Sequence, residues 1–311
     1  MTTSRARLRK AMMPGEDGRP PVISREEMQC SLGKLGLNPA AQLLDDLGIT
    51  SLPDGELGSI RSVEARQSLE RAFHLSERLV GYLGFSSPTP EQMADVGVDF
   101  HYLAKQFECM KKEEGVAPHV VLAPHGLGKQ NWLTIAREMT VDKTIPNNPL
   151  KVEKSKHGDR YGLWVESKIT DSIWYNLDQV PTSTTTPGLT ALPACQYRNG
   201  GLDNKWTLRL ISGKNQPEYI DMPYGASQQK DGTPLRHQTL AEGLTDKLTT
   251  VLDGSMPTDD GYTSWCWRPD AQYNDDIPVI GWGVRSGEIS VSLINNFTDT
   301  CHTLGSRSVL G

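Results

Sequence analysis

The spacing of apolar residues changes partway along this 311-residue chain, and that change restricts the folds open to it. Before Gly115 the apolar residues recur every three to four positions, as on one face of an amphipathic helix. After Arg160 they alternate with polar residues, which is typical of strands that bury one face. A helical part followed by short antiparallel strands predicts an α+β architecture.

The helical part contains two long amphipathic segments. The first runs from about Ser62 to Leu83, with a glycine directly after it to end the helix. The second begins at Thr89, where an N-cap residue is followed by proline and a capping glutamine, and ends at Gly115. We expect the two helices to pack as an antiparallel pair and their apolar stripes to form core.

These patterns divide the chain into three parts. We predict a flexible tail over residues 1–23, a mainly helical domain over residues 24–150 and an α+β domain over residues 151–311. The boundary near residue 150 falls in a polar, proline-containing stretch. In the last part, Thr239–Asp253 has the spacing and the N-terminal capping box of one more helix.

Composition excludes several classes of protein. A net charge of −6 argues against a nucleic-acid partner, which usually calls for a basic face. No apolar stretch has the roughly 18 residues of a membrane span, and the basic start lacks the apolar segment of a signal peptide. The five cysteines form no CxxC pair, which is typical of reduced thiols. We therefore expect a cytoplasmic protein with no membrane contact and no metal or cofactor.

Two local patterns suggest ligand sites, and both fail on inspection. The glycine-rich turn Pro124–Lys129 follows a predicted strand, but Ala123 and Gln130 occupy two positions that a phosphate-binding loop reserves for other residues. We expect a plain strand-to-helix turn there. Five aspartates near the C-terminus lack the alternation of a calcium loop, so a solvated acidic rim is predicted. They are Asp259, Asp260, Asp270, Asp275 and Asp276.

The end of the chain has a different character. Two alternating strands joined by a tight turn at Arg285–Gly287 precede a polar stretch, and the closing strand Leu304–Leu310 follows. The segment Ser290–Thr303 interleaves side chains that can hydrogen-bond or stack and contains no long flexible one, which supplies adaptable contacts at low entropic cost. These side chains are Asn295, Asn296, Phe297, Thr298, Asp299 and His302. From Ile289 onward there is no Lys, Glu, Gln, Met or Trp. A recognition surface and an ordinary surface loop both fit this composition.

From Thr239 onward the chain resembles the variable proteins of diversity-generating retroelements, whose C-terminal domains have a C-type-lectin fold. The resemblance rests on Trp265–Arg268, Pro278–Trp282, the hairpin at Arg285–Gly287 and the closing Leu304–Ser308. In that family, mutagenic reverse transcription randomises adenines in asparagine-type codons. The residues that this process cannot reach are the same five types that are missing after Glu288.

The resemblance implies a C-type-lectin-like antiparallel β domain after the helical half, related in fold to formylglycine-generating enzymes. It also implies a non-enzymatic protein whose variable C-terminal surface binds a protein or other macromolecule. The contact residues that it implies are Tyr273, Trp282, Ser290, Ser292, Ile294, Asn295, Asn296, Thr298, Asp299, Thr300 and His302.

Two alternatives stay open from the sequence. A formylglycine-generating type of enzyme would use Cys266 and Cys301 as a thiol pair on the same fold. A structural or phage-assembly component would bury the polar segment in an oligomer. We favour binding because no grouping of acid, base and nucleophile can be nominated from the sequence.

Overall fold

The structure is a computed structural model that describes residues 56–154, 158–180, 193–199, 201–217, 229–230, 233–234, 237–266, 276–295, 304–305, 307 and 309–310. The predicted tail and the first part of the predicted helical domain, up to residue 55, lie outside these ranges. The contacts group Gly55–Gly311 into one compact unit.

The described elements mix helices with mainly antiparallel strands, which confirms the α+β class. In chain order the helices are α1 (Val63–Gly81), α2 (Pro90–Asp95), α3 (Phe100–Glu114), α4 (Lys129–Val141), α5 (Asp171–Leu177) and α6 (Leu240–Leu252). The strands are β1 (His119–His125), β2 (Val152–Glu153), β3 (Arg160–Tyr161), β4 (Leu163–Val165), β5 (Cys195–Asn199), β6 (Leu202–Ile211), β7 (Gln229–Lys230), β8 (Thr233–Pro234), β9 (Thr263–Trp265), β10 (Asp276–Gly283), β11 (Glu288–Asn295), β12 (Leu304–Gly305) and β13 (Val309–Leu310).

Helix α1 lies where the sequence predicts it. The Ser62 hydroxyl caps its start by accepting a hydrogen bond from the Ala65 amide at 3.1 Å, and Gly84 adopts a φ of +70° after its end. The prediction of one continuous helix from Thr89 to Gly115 is wrong, because the structure has two helices, α2 and α3, over these residues. Gly97 adopts a φ of +95° after α2, and the Asp99 carboxylate then caps α3.

Two sheets carry most of the strands. In the first, β6 pairs antiparallel with β1, β5 and β13. The second has seven strands in the order β12-β9-β10-β11-β4-β3-β2. Its central β10–β11 hairpin is antiparallel, whereas β4 joins β11 and β12 joins β9 in parallel. The closing strand Leu304–Leu310 is therefore paired, but its two ends belong to different sheets.

Helix α6 packs against both sheets and is buried along almost its whole length. It contacts β1 and α1 as well as β10. A second core cluster packs α1 and α3 against β6, with the Phe73 and Phe100 ring centroids 6.1 Å apart. Each of the two large core clusters thus contains residues from before and after residue 150. Among the described residues, the predicted domain boundary near residue 150 does not divide the protein into two compact units. No helix in this part of the chain is long and apolar enough to cross a membrane.

Helix α6 also buries three charged side chains, Glu242, Asp246 and Lys247. Glu242 pairs with Arg209 at 3.1 Å and Lys247 with Asp259 at 2.7 Å. Asp246 lies 2.6 Å from the His119 imidazole and raises its pKa, which favours the charged form of the ring. A buried charge that lost its partner would be strongly destabilising, so each pair constrains how the helix sits against the surrounding strands.

We expect His125 to contribute stability at neutral pH that is lost in acid. Burial lowers the pKa of this imidazole from 6.5 to about 4, and its Nε2 lies 3.0 Å from the Thr207 hydroxyl. Below pH 6.5 the unfolded chain binds a proton that the folded chain does not. The contribution is therefore complete above that pH, and about 3 kcal/mol is lost as the pH falls toward 4. Urea unfolding at about pH 7 and about pH 4.5 measures the loss.

The matched variants for this prediction are His125→Gln and His74→Gln. The first removes the buried titrating group, so its unfolding free energy should fall by about 2–3 kcal/mol less than that of the wild type between the two pH values. The second removes an exposed imidazole and should leave the pH difference as in the wild type. Burial also lowers the pKa of His237 to about 3 and raises the pKa of Asp178 to about 7; these two groups act in opposite directions and equally in both variants. The same pH difference in His125→Gln as in the wild type would contradict the assignment.

Candidate binding surface

The β10–β11 hairpin forms the base of the candidate surface. Its register runs from Asp276 opposite Asn295 to Gly283 opposite Glu288, and the Gly287 amide closes the turn by donating to the Gly283 carbonyl at 2.7 Å. Gly287 has a φ of +63°, and a Cβ there would lie 2.5 Å from the carbonyl oxygen of Pro149. Only glycine fits that position without rearrangement, which confirms the tight turn predicted from the sequence.

The two faces of β11 have different surroundings. Ile289, Val291 and Leu293 are buried in the large core cluster that contains the apolar residues of α6. Ser290, Ser292 and Ile294 point to the opposite face and are half-buried. This division confirms the assignment of faces from the alternation of the strand.

The face that carries the serines is apolar at one end. Ile294 packs there against a small buried cluster of Trp265, Ile277, Val279 and Leu304. The closing strand β12 contributes Leu304 to this cluster and pairs with β9. Ile294 is therefore partly a core residue, whereas Ser290 and Ser292 have polar side chains on a partly accessible face.

At the other end of this face a row of residues crosses four strands. Ser290 lies in register with Trp164 on β4 and with Gly281 on β10, and Gly281 lies in register with Thr263 on β9. We call Trp164, Ser290, Gly281 and Thr263 the cross-strand row. A Cβ at Gly281 would lie 3.3 Å from both the Ser290 and the Thr263 hydroxyl oxygens. Glycine therefore leaves two hydroxyls close together on a half-buried strip.

Trp164 is a candidate contact residue that the sequence analysis missed. Its ring is half-buried, and the Arg160 guanidinium carbon lies 5.8 Å from the ring centroid. Arg160 is held in turn by Glu153 at 3.0 Å and Glu288 at 3.5 Å. An aromatic ring that is held by a cation offers contact area at low entropic cost. The alternation of β4 places Trp164 opposite the buried Leu163, but only the pairing with β11 brings it beside Ser290.

The remaining predicted contact residues fall into two groups. Trp282 is 2% exposed and belongs to the core cluster around α6, so its assignment to the contact surface is not supported. The others lie outside the described residues, except that the backbone of Asn295 is described and its side chain is not. They are Tyr273, the side chain of Asn295, Asn296, Thr298, Asp299, Thr300 and His302.

A buried ionic network fixes the chain around this sheet. Arg307 lies between β12 and β13, and its Nε and Nη2 donate to Asp259 at 3.0 and 2.5 Å. Asp259 also accepts from the Lys247 ammonium at 2.7 Å and from the Ser264 hydroxyl at 3.1 Å. A further donation from Arg307 to the Ser212 carbonyl at 2.7 Å ties both closing strands to the end of β6.

The position of Asp259 corrects one expectation. The acidic rim was predicted to be solvated, but Asp259 is fully buried. Burial alone would raise the pKa of its carboxyl, and Lys247 and Arg307 more than offset this and hold the pKa below its usual range. Asp259 is therefore a structural counter-ion rather than a solvated rim residue. Among its predicted companions, Asp260 is exposed, and Asp270 and Asp275 lie outside the described residues.

Cys266, one of the two thiols of the enzyme alternative, lies in the core. Cys266 is a free, fully buried thiol, and its amide donates to the Pro278 carbonyl at 2.8 Å. Burial raises its pKa well above the ordinary value, which disfavours the nucleophilic thiolate. Its proposed partner, Cys301, lies outside the described residues. Within the part of the chain that is described, no three His, Cys, Asp or Glu side chains come together as metal ligands do.

Comparisons with known proteins add no relative to this picture. No protein-family model, no curated protein and no solved structure matches the chain. The argument for function therefore rests on the residues of the surface itself.

Proposed function

We propose that this protein is a non-enzymatic binding protein that presents a diversified recognition surface at its C-terminal end to a protein or other macromolecule. The observation that carries the proposal is the separation of the two faces of β11. Val291 and Leu293 hold the strand in the core, while Ser290 and Ser292 lie on the accessible side. Ser290 and Ser292 can therefore change with less effect on the core than Val291 or Leu293.

The surface that we propose has a constant part and a variable part. Trp164 and Arg160 come from outside the region whose composition resembles mutagenised codons, so they form the constant part. Ser290, Ser292 and the polar residues after Asn295 form the variable part. Short polar side chains beside a held aromatic ring are the combination found in antibody loops.

In this proposal the C-terminal region has a C-type-lectin-like fold and the protein is a variable protein of a diversity-generating retroelement. Two features support this. The hairpin β10–β11 forms and the closing strands β12 and β13 are paired, which this proposal needs, and Arg307 of the closing motif is a buried structural residue. The five residue types missing after Glu288 are those that adenine mutagenesis does not reach.

The enzyme alternative has less support. It needs an accessible thiol pair, and Cys266 is fully buried with a raised pKa.

The net charge of −6 also favours a protein ligand over nucleic acid. An assembly component would require the cross-strand row to be covered in an oligomer.

The test is a comparison of DNA sequences. We expect a near-repeat of the DNA that encodes Ile280–Arg307, located beside a reverse-transcriptase gene and differing from it at adenines. The differences should change the codons of Ser290 and Ser292 and leave those of Val291 and Leu293 unchanged, because the latter encode core residues. Absence of such a repeat, or differences spread evenly over buried and accessible positions, would contradict the proposal.

A further inference from the structure

A small open pocket lies far along the chain from the candidate surface, between the start of α4 and one side of α5. Its volume is about 260 Å³, and one wall is the glycine-rich turn and first helical turn at residues 126–131. The other wall consists of Asp171, Trp174, Tyr175 and Asp178. Their spacing of three, four and seven residues places them on one face of α5 and its C-terminal end. This volume is just below the range of about 300–1,000 Å³ for sites of drug-sized ligands, so only a ligand as small as a metabolite would fit.

Asp178 has an unsatisfied oxygen in this pocket. The residue is 2% exposed, and its Oδ2 accepts a hydrogen bond from the Gly128 amide at 3.0 Å. Its Oδ1 makes no hydrogen bond of normal length and angle among the described residues, and neither does the indole N–H of Trp174. Burial raises the pKa of the carboxyl to about 7, although the amides of Gly128, Gly126 and Leu127 and the Trp174 indole work against that rise. A buried acceptor without a partner is costly, and a ligand N–H would satisfy it.

The opposite wall carries hydrogen-bond donors. The first amides of α4 have no acceptor within their own helix, and this end of a 13-residue helix carries positive partial charge. Gly128 is the N-cap and supplies no side-chain cap. The Lys129 ammonium donates to the Ile169 carbonyl at 2.7 Å, so the backbone amides of Gln130 and Asn131 are the donors that remain at this wall.

We propose that this pocket binds a small zwitterion, an α-amino acid. Its ammonium group would donate to Asp178 and Asp171, and its carboxylate would accept from the Gln130 and Asn131 amides. A ligand with only a positive or only a negative group would leave either the amide donors or the aspartates without a partner. Trp174 and Tyr175 supply aromatic surface beside the ammonium. The assignment is independent of the recognition surface proposed above.

Isothermal titration calorimetry with the standard L-amino acids, each added singly to the full chain, tests the proposal. We expect at least one to bind, and we expect its decarboxylated amine and its deaminated acid each to bind at least about tenfold more weakly. The reason is that each half-ligand loses one set of charge-assisted hydrogen bonds. If no amino acid binds at millimolar concentration, or if either half-ligand binds as tightly as the whole, the proposal is overturned and the pocket holds water only.

Three variants assign the binding to these residues. Asp171→Asn changes an exposed side chain, so it should fold normally and weaken binding by about tenfold or more. Asp178→Asn keeps an acceptor for Gly128 and should weaken binding further. Glu113→Gln removes an exposed carboxylate elsewhere, on α3, and should bind as the wild type does. Wild-type affinity in both aspartate variants would place the ligand at another site.

Discussion

Replacing Asp259 with asparagine is expected to lower the free energy of unfolding by about 3–5 kcal/mol. The substitution keeps the shape of the side chain but removes the charge between Lys247 and Arg307, whose side chains are each 1% exposed. Two buried cations would then face a neutral amide, and neither could reach water. Urea unfolding at neutral pH measures the change through the midpoint and the slope of the transition.

The matched control is Asp203→Asn, the same substitution in an exposed ion pair. Asp203 lies 3.9 Å from Arg198, and their side chains are 64% and 78% exposed. Exposed pairs contribute at most about 1 kcal/mol, so this variant should unfold close to the wild type. Equal losses in the two variants would show that the buried network around Asp259 contributes no more than a surface pair.

The network also bears on the recognition surface. Arg307 joins Asp259 to the carbonyl of Ser212 at the end of β6, so losing the Asp259 charge should loosen the closing strands. Replacing a whole buried network with apolar residues can be neutral in other proteins, because burying the charges is itself costly. We therefore assign the network a role in placing β12 and β13 rather than a large net stabilisation.

Val291→Asp is expected to unfold the protein, with a loss of at least about 4 kcal/mol. Val291 is fully buried in the core cluster beneath the hairpin, and a carboxylate there would have neither water nor a counter-ion. The control is Ser292→Asp, the same new side chain one position along on the half-buried face. It should cost far less, because water can reach that face. Circular dichroism melting curves of the two variants give the comparison.

A triple variant completes this test. Asn295, Asn296 and Asp299 belong to the proposed variable surface, so changing them together to alanine should leave the melting temperature nearly unchanged. Substitutions on a recognition surface away from the core usually cost within about 0.5 kcal/mol each. If the triple variant collapsed while Val291→Asp was tolerated, the two faces of β11 would be reversed. The recognition surface would then have to be sought elsewhere.

Features that depend on neighbouring residues follow from the sequence. Helix α1 with its Ser62 cap, helix α6 with its capping box, and the tight turn before β11 all lie where the local patterns predict them. The alternation in β11 also assigns Val291 to the core and Ser292 to the accessible side. Spacing along one strand or helix is enough for such assignments, because the periods of these elements are set by backbone geometry.

Features that depend on distant residues come only from the tertiary structure. The alternation of side chains along β4 places Trp164 on the face opposite Leu163. It does not predict that β4 will pair with β11, which lies more than a hundred residues later in the chain. Composition suggests that Asp259 is a solvated aspartate, and only the approach of Lys247 and Arg307 makes it a buried counter-ion. In the same way, Asp178 faces the residue 126–131 turn only because α5 packs beside it. Local periodicity determines which side of an element is buried, whereas the partner that covers that side is chosen by the packing of the whole chain.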